Sequence, residues 1–508
     1  MAHSLRKRSA FRILAILMGL TPFALAELGL QLADWPRPRF TQDPYVSFDG
    51  HERLFRLDES QDKYITSPIR FPYFYPDSFS RVKPKQTTRI FCLGGSTVQG
   101  RPYSIETSFT TWLRLTLESA QPERQWEVVN CGGISYASYR LRYVAREVLD
   151  YEPDLIIVYT GHNEFLERRS FDVVKNSPRL TNVTQQTIRR SKLVSLAATI
   201  WETATGVSHD SINVDEPGGD ARRTRLKQEV DALLDYRGGL EEYHRGELQH
   251  DLVTDHFRHS LTAIASAARG QQIPVVFCHP ACNLKDCPPF KVETDPSLSA
   301  EQQSRFSQLW TESRHYVAKD AGQQISLLKR ALQIDQGHAG ALYQLAKCYE
   351  LQDDHDLALQ AFIAAKDADV CPLRIIEPMQ DVIDEVARQW GITVVDLRPV
   401  FAARAQQTIP GDECFLDHVH PTIDGHQWIA DQLFQAMIDL DLVQLSNDQW
   451  LEARQQRYHA HMQSLETSYF SRGQERLEGL RRWATGRAEK LRSDPVNEPP
   501  AVQEQVTD

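Results

Sequence analysis

The sequence lacks several features that particular classes of protein require. Its 508 residues carry a formal net charge of −11, whereas general binding to nucleic-acid phosphates needs an excess of positive charge. A nucleotide-binding GxxxxGK[ST] loop is missing, because the glycine-rich stretch at 94–100 continues as Arg101-Pro102. The eight cysteines are too few for a disulfide scaffold in a chain of this length. We therefore expect no nucleic-acid partner.

Three of the cysteines, Cys278, Cys282 and Cys287, lie close together in the sequence. Two of them could pair in an oxidising compartment, and the sequence leaves this pairing open. Their C-x3-C-x4-C spacing is not that of a zinc knuckle. The sequence therefore predicts no metal here, and no cofactor.

The chain begins with basic residues, followed by an apolar stretch from Ile13 to Ala26. Residues 24–26 fit a signal-peptide cleavage pattern, but apolar character resumes after Glu27. The combined stretch of about 20 mostly apolar residues is long enough to span a bilayer. We predict that residues 1–33 are a signal anchor or signal peptide, and we favour an uncleaved anchor. The rest of the chain is then expected on the periplasmic or extracellular side of the cell membrane.

Apolar segments typical of buried strands alternate with helical patterns along the body of the chain. The sequence predicts strands at 89–93, 126–130, 154–160, 273–278 and 392–397, and helices at 107–120, 139–151, 252–269 and 375–390. Short strands that are apolar on both faces and alternate with helices indicate right-handed βαβ units. The predicted fold class is α/β, with a three-layer, flavodoxin-like parallel sheet.

The α/β domain is predicted in two parts, 88–299 and 371–446. Residues 34–87 precede it and are predicted to be an irregular connector, because they are rich in Pro, Phe, Tyr and charge. Residues 165–250 follow the third strand as an insertion that could form a lid. Residues 447–508 are predicted to be a charged helical tail with a solvated face.

Residues 300–370 separate the two parts of the domain and contain an internal repeat. Seven residues fall at the packing positions of a tetratricopeptide unit: Leu342, Leu345, Ala346, Tyr349, Ala358, Phe362 and Ala365. A shift by the repeat period of about 34 residues aligns Ala331 with Ala365. Two repeats rarely form an independent solenoid. A helical hairpin packed on the domain and a groove for a protein partner therefore both stay open.

Polar stretches whose residues could take part in catalysis follow the predicted strands. They are Ser96 after the first strand, the Gly132-Gly133 turn after the second, Asn163 after the third, and residues 417–426 after the last. The carboxyl ends of parallel strands meet at one edge of a sheet, so these stretches can converge.

A serine hydroxyl is a weak nucleophile and needs a general base within hydrogen-bond reach. His420 is the candidate base for Ser96, and Asp417 can hold its ring and stabilise the imidazolium. Acyl transfer also needs donors for a developing oxyanion. The backbone N–H groups of Ser96 and of the glycine turn can serve, with the Asn163 amide as a third donor.

A metal site is the competing interpretation of the same stretches. Its ligands would be His162, His418 and His420 with Asp417 and Glu164. Histidine ligands on a helix are usually three or four residues apart, whereas His418 and His420 are two apart in a predicted loop. We therefore predict no metal.

GGS, the glycine turn, GHN and D-x-x-H, in this order, resemble the four blocks of the SGNH (GDSL-type) hydrolase superfamily. The strings GGSTVQGRPYS, NCGGISYASYR, YTGHNEFLE and DHVHPTIDGH resemble a membrane-anchored bacterial branch that carries tetratricopeptide repeats. The resemblance covers residues 88–165 and 251–440. It implies the SGNH hydrolase fold and the following roles: Ser96 as nucleophile, Ser96, Gly133 and Asn163 as oxyanion donors, and Asp417 and His420 as the other members of a triad.

The sequence departs from the family pattern at two positions. The acidic residue that usually precedes the serine is Gly95 here, which removes a local hydrogen-bond acceptor. In the second block, the oxyanion glycine could align with Ser135 instead of Gly133. The choice between these two backbone donors stays open.

These features predict an exported, membrane-tethered serine esterase that removes acyl groups, acetyl above all, from a glycan or similar substrate. The same site, shielded from water, could instead pass the acyl group to a cell-envelope polysaccharide as an O-acyltransferase. A third hypothesis is a tethered scaffold whose repeats bind a protein partner and whose site has decayed. Asn283 and Arg374 are candidate substrate contacts, although structural roles are favoured for both.

Overall fold

The computed structural model describes most of the body of the chain. Its described residues are 43–171 except 51, and 224–486 except 248, 316–320 and 447–448, with parts of 18–30 and the single residues 193 and 196. Most of the predicted anchor, most of the insertion at 165–250 and the end of the tail therefore lie outside the described residues. In the part that is described, no helix combines the length and apolar character needed to cross a membrane.

The described strands are β1 Val46–Phe48, β2 Phe55–Asp58, β3 Lys63–Thr66, β4 Ser78–Ser80, β5 Thr87–Gly94, β6 Gln125–Gly132, β7 Leu155–Tyr159, β8 Thr224–Leu226, β9 Val275–His279 and β10 Thr393–Asp396. Five of them form the central sheet in the order β10-β9-β7-β5-β6, and every neighbouring pair is parallel. Taken in chain order, this is the 2-1-3-4-5 arrangement of flavodoxin-like folds. The predicted parallel α/β sheet is confirmed.

The described α-helices are α1 Ser96–Gln99, α2 Phe109–Ala120, α3 Ser138–Val148, α4 His250–Gly270, α5 Ala300–Ser313, α6 Ala321–Ile334, α7 Ala339–Glu350, α8 His355–Asp367, α9 Glu377–Trp390, α10 Arg398–Ala402, α11 Ile423–Asp439, α12 Trp450–Ser464 and α13 Thr467–Ala484.

Helices cover both faces of the central sheet because successive side chains of each strand point to opposite faces. On one face, strand residues such as Phe91 and Phe277 join a core with α3, α4 and α9. On the other face, their neighbours Ile90 and Val276 join a second core with α2 and α11. The domain therefore has three layers, and its loops leave the carboxyl edge of the sheet together.

The prediction of an irregular connector at 34–87 is wrong for its described part. Strands β2, β3 and β4 form an antiparallel sheet, and β1 pairs in parallel with β8. Strands of three or four residues are too short to show a clear alternation of apolar and polar residues. Phe55 and Phe79 of this small sheet pack edge to face on Phe91 of the central sheet.

The insertion at 300–370 consists of helices α5 to α8, and each of them packs against the next. Of its seven predicted packing positions, Leu342 is half-buried and the others are buried. The insertion is therefore helical, while its assignment to a tetratricopeptide repeat stays a prediction. In the chain it lies between β9 and α9.

The C-terminal helices α12 and α13 lie against the domain, although the sequence predicted a solvated helical tail. The Tyr458 ring lies 4.6 Å from Trp112 of α2, and Tyr469 stacks on Tyr103 at 5.8 Å. All eight cysteines of the chain are buried free thiols, so the pairing that the sequence left open for Cys278, Cys282 and Cys287 is not formed in the structure.

Close backbone packing at the carboxyl edge predicts that Gly132→Ala is destabilising. A Cβ at Gly132 would lie 2.1 Å from the backbone nitrogen of Gln99, and backbone cannot move aside as a flexible side chain can. We expect a loss of about 3 kcal/mol in the free energy of unfolding, measured with urea. The matched control is Gly479→Ala in α13, where nothing lies within 4 Å and alanine should be neutral or stabilising. Equal stability of the two variants would contradict the packing.

Candidate active site

Ser96 lies one residue beyond the end of β5, at the first position of the short helix α1. The turn requires glycine at position 94, because a Cβ there would lie 2.2 Å from both Tyr159 O and Val98 Cγ2. Gly100 ends α1 in the left-handed region, with φ of 93°, which glycine adopts without strain. The local sequence therefore presents the serine hydroxyl at the carboxyl edge of the sheet.

Ser96, His420 and Asp417 form a continuous chain of hydrogen bonds. Ser96 Oγ lies 2.7 Å from His420 Nε2, and His420 Nδ1 lies 2.7 Å from Asp417 Oδ2. The other carboxylate oxygen of Asp417 accepts from the backbone N–H groups of Val419 and His420, at 2.9 Å each. The backbone of this loop thus holds the Asp417 carboxylate, which in turn orients the His420 ring.

The charge of Asp417 determines which nitrogen of His420 carries a proton. Burial raises the pKa of Asp417, but His420 and His418 together with these hydrogen bonds hold it well below its usual range. Burial also lowers the pKa of His418 to about 4, so this neighbour is neutral near pH 7. The ionised carboxylate accepts from Nδ1–H, which leaves Nε2 as the ring nitrogen that faces the Ser96 hydroxyl.

The Asn163 amide lies against the serine loop. Asn163 Nδ2 donates to Tyr136 O at 3.0 Å, and a Cβ at Gly95 would lie only 2.5 Å from the same Nδ2. A glycine before the serine therefore allows this close approach of the amide. The backbone N–H of Ser96 has no acceptor among the described residues, which leaves it available as a second donor.

The prediction that Gly133 supplies a backbone oxyanion donor is wrong. Its N–H donates to Gly94 O at 3.0 Å, because the ladder between β5 and β6 continues one residue beyond the strands. Ser135, the alternative, has a left-handed backbone with φ of 60°, and none of the described residues accepts from its N–H. Ser135 is therefore the better candidate of the two.

Asn283 and Arg374 are both buried, and their hydrogen bonds connect the loops next to the site. Asn283 N–H donates to His418 O at 3.0 Å, while Arg374 Nη1 donates to the carbonyl oxygens of Asn283 and Cys287 at 2.9 and 2.8 Å. These contacts hold the loop that carries His420. Asn283 Nδ2 also donates to Asp412 Oδ1 at 2.8 Å, so both side chains have structural partners.

The described residues contain no group of three or more His, Cys, Asp or Glu side chains that could hold a metal ion. Glu164, one of the proposed ligands, accepts from the backbone N–H and the hydroxyl of Ser138 at 2.7 and 3.0 Å. It therefore serves the first turn of α3.

Sequence reasoning did not identify a small cavity of about 10 Å³ beside Ser96. Residues 95–97, residues 159–163 and Val419 line it. Thr97 Oγ1 closes one side by donating to Val419 O at 3.4 Å. The position of residues 159–163 directly after a buried strand was the available signal for these wall residues.

No family model matches the chain, and neither does any curated protein. Among solved structures it is similar to a putative lipolytic protein of the G-D-S-L family from Desulfitobacterium hafniense (10% identity, TM-score 0.29, 68% of this chain and 98% of that one). It is also similar to the lipase/acylhydrolase from Enterococcus faecalis (10%, 0.30, 71% and 99%) and to a GDSL-like lipase from Bacteroides thetaiotaomicron (11%, 0.27, 70% and 89%). These TM-scores are too low to carry an argument, so a function has to be argued from the geometry of the site.

The low pKa of Asp417 predicts a pH-dependent effect of Asp417→Asn. The folded pKa lies below the ordinary value of 3.8, so the ionised carboxylate stabilises the fold above that pH, and this stabilisation is lost as the pH falls through the folded pKa. We expect the variant to lose about 2 kcal/mol of unfolding free energy near pH 7, and less in acid. Urea unfolding at neutral pH and at about pH 2, well below the ordinary value, measures both losses. An equal loss at the two pH values would contradict the assignment.

Proposed function

We propose that this chain is a serine hydrolase of the SGNH type that cleaves esters carrying short acyl groups. One observation carries the proposal: the hydrogen-bond chain from Asp417 through His420 to Ser96, with both distances at 2.7 Å. A serine becomes an effective nucleophile when a base can take its proton. The carboxylate beneath that base stabilises the imidazolium that results.

The first half of the reaction follows from this arrangement. Ser96 Oγ attacks the ester carbonyl carbon as its proton passes to His420 Nε2, and the carbonyl oxygen becomes an oxyanion. The intermediate then collapses, the bond from carbon to the alcohol oxygen breaks, and His420 returns the proton to the departing alcohol. The acyl group is left on Ser96 as an ester.

Water completes the cycle by the same route. His420 takes a proton from water as the water oxygen attacks the acyl carbon, and then gives that proton to Ser96 Oγ as the acyl bond breaks. In both halves, the N–H groups of Ser96 and Ser135 and the Asn163 amide are the candidate donors to the oxyanion. Loss of one such donor typically costs a factor of about 10²–10³ in kcat.

The short acyl group and the glycan alcohol are proposed from the sequence resemblance, with acetyl as the favoured acyl group. The enclosed space beside Ser96, about 10 Å³, has room for about one water molecule, so the acyl group and the alcohol would both lie largely outside it.

Substitution of Ser96 or His420 by alanine tests the proposal. We expect Ser96→Ala and His420→Ala each to lower kcat on p-nitrophenyl acetate by about 10³-fold or more, since either change removes the nucleophile–base pair. A fluorophosphonate probe should label wild type and fail to label Ser96→Ala. Ser60→Ala, at an exposed serine, is the matched control and should behave as wild type.

Circular dichroism of each variant separates loss of chemistry from loss of fold. Turnover that persists in folded Ser96→Ala would contradict the proposal. So would a wild-type protein that neither reacts with the probe nor turns over any short-chain ester.

We further propose that residues 1–33 anchor the chain in the cell membrane with the hydrolase domain on the periplasmic or extracellular side. The support is the basic start of the sequence followed by the apolar stretch to Ala26. In a bacterial host, the full chain should stay in the membrane pellet after an alkaline carbonate wash, and a variant that lacks 1–33 should not. Release of the intact, uncleaved chain by the wash would contradict the anchor.

A further inference from the structure

Helix α13 lies beside both loops that supply the triad. Its Arg476 Nη1 donates to Tyr103 O at 3.0 Å, in the loop that follows α1. Its Arg481 Nη2 donates to Leu416 O at 2.7 Å, and Leu416 immediately precedes Asp417. Arg481 is exposed and Arg476 is half-buried. The helix therefore brings two arginines to the surface next to the triad.

A third arginine comes from the serine loop itself. Arg101 N–H donates to Ser96 O at 3.1 Å, so it closes the turn that begins with the proposed nucleophile, and the residue is half-buried. The Tyr75 hydroxyl donates to Tyr103 O at 2.9 Å, the carbonyl that Arg476 also binds. The Tyr75 ring centroid lies 5.8 Å from the guanidinium carbon of Arg476. Arg101 and Arg476 therefore share Tyr75 as a neighbour.

Arg101 and Arg476 are close enough for their positive charges to act on one another. Burial lowers the pKa of Arg101 from its ordinary value and the charge of Arg476 lowers it as well, while Tyr75 and Asp417 oppose this shift. Two like charges at short range repel, and partial burial strengthens the repulsion because less salt and water screen it. An anion bound beside the two guanidinium groups would offset this repulsion.

The described residues contain no ion pair that would neutralise these arginines. Arg101, Arg476 and Arg481 form none with a carboxylate in the described part of the chain, although the whole chain has a net charge of −11. The next residue on α13, Arg482, does have a partner, because Glu478 lies 3.7 Å away. Backbone carbonyls carry no formal charge, and a guanidinium has five N–H donors. The three arginines therefore keep both charge and donors for a ligand.

We propose that Arg101, Arg476 and Arg481 bind carboxylate groups on the alcohol part of the ester, so that the substrate is an acidic glycan such as a uronate chain. The planar guanidinium matches a carboxylate with two parallel hydrogen bonds. Arg476 and Arg481 are five residues apart, about 7.5 Å along the helix, which suits charges repeated along a chain. This inference rests on the proposed function, because it takes the surface around Ser96 as the place where the alcohol binds.

An acetylated galacturonate trisaccharide and its carboxamide derivative test the selection, since they differ only in the charge of the sugar. From the rate of acetate release, wild type should favour the carboxylate form by about tenfold in kcat/KM. The preference should fall as the salt concentration rises from about 0.05 M to about 0.5 M. Arg101→Gln and Arg476→Gln should each lose most of it, and Arg101→Lys, which keeps the charge, should retain part. Arg482→Gln, on the same helix, is the matched control and should keep the preference.

Four kinetic results would overturn the inference. They are a wild type with no preference, a preference that survives in both Arg101→Gln and Arg476→Gln, a loss that is as large in Arg482→Gln, and an equal slowing of both substrates in the first two variants. The last result would assign these arginines to the fold instead of to the substrate.

Binding without turnover separates this inference from the proposed function. In Ser96→Ala, calorimetry should show that the galacturonate trisaccharide binds about tenfold more tightly than the galactose trisaccharide of the same linkage. Adding Arg101→Gln and Arg476→Gln should remove the difference. Equal binding, or none, would overturn the inference whatever the enzyme does. A preference for galacturonate that depends on these arginines would support it, even if wild type failed to react with a fluorophosphonate and the proposed hydrolysis failed.

Discussion

The hydrogen bond between Ser96 Oγ and His420 Nε2 joins two loops that lie 324 residues apart in the sequence, and the rest of the site depends on it. The two loops meet because both β5 and β10 end at the same edge of one parallel sheet. Glycines at 94 and 95 allow the serine loop to approach Tyr159 and Asn163 closely. The fold therefore contributes to the chemistry mainly by bringing side chains from separate loops within hydrogen-bond distance of one another.

The segment between the helical insertion and α9 contacts the loops that carry His420 and Asn163. Arg374 reaches the carbonyl oxygen of Asn283, whose N–H holds the carbonyl of His418, next to the catalytic candidate His420. Its neighbour Ile375 holds the His162 ring in the loop that carries Asn163. These two adjacent residues, which follow the insertion at 300–370, therefore hold two different loops that carry residues of the site.

The sequence was most informative where a buried strand runs directly into polar residues. Apolar strands such as β5 and β7 are long and fully buried, so their ends, and with them Ser96 and Asn163, could be located from the pattern alone. The short strands β2 to β4 carry too few residues for a pattern. The choice between Gly133 and Ser135 depends on which of the two N–H groups donates to the Gly94 carbonyl. The hydrogen-bond donor to His162 is the N–H of Ile375, 213 residues away. Contacts of this kind are properties of the folded chain and leave no local signal.

The central claim is that Ser96 carries the acyl group during turnover, and the most direct measurement is mass spectrometry of the acid-quenched protein during reaction with a short-chain ester. The account predicts an added acyl mass on the peptide that contains Ser96, present in wild type and missing in Ser96→Ala. An acyl group on a different residue, or turnover with no acylated peptide at any time, would contradict it.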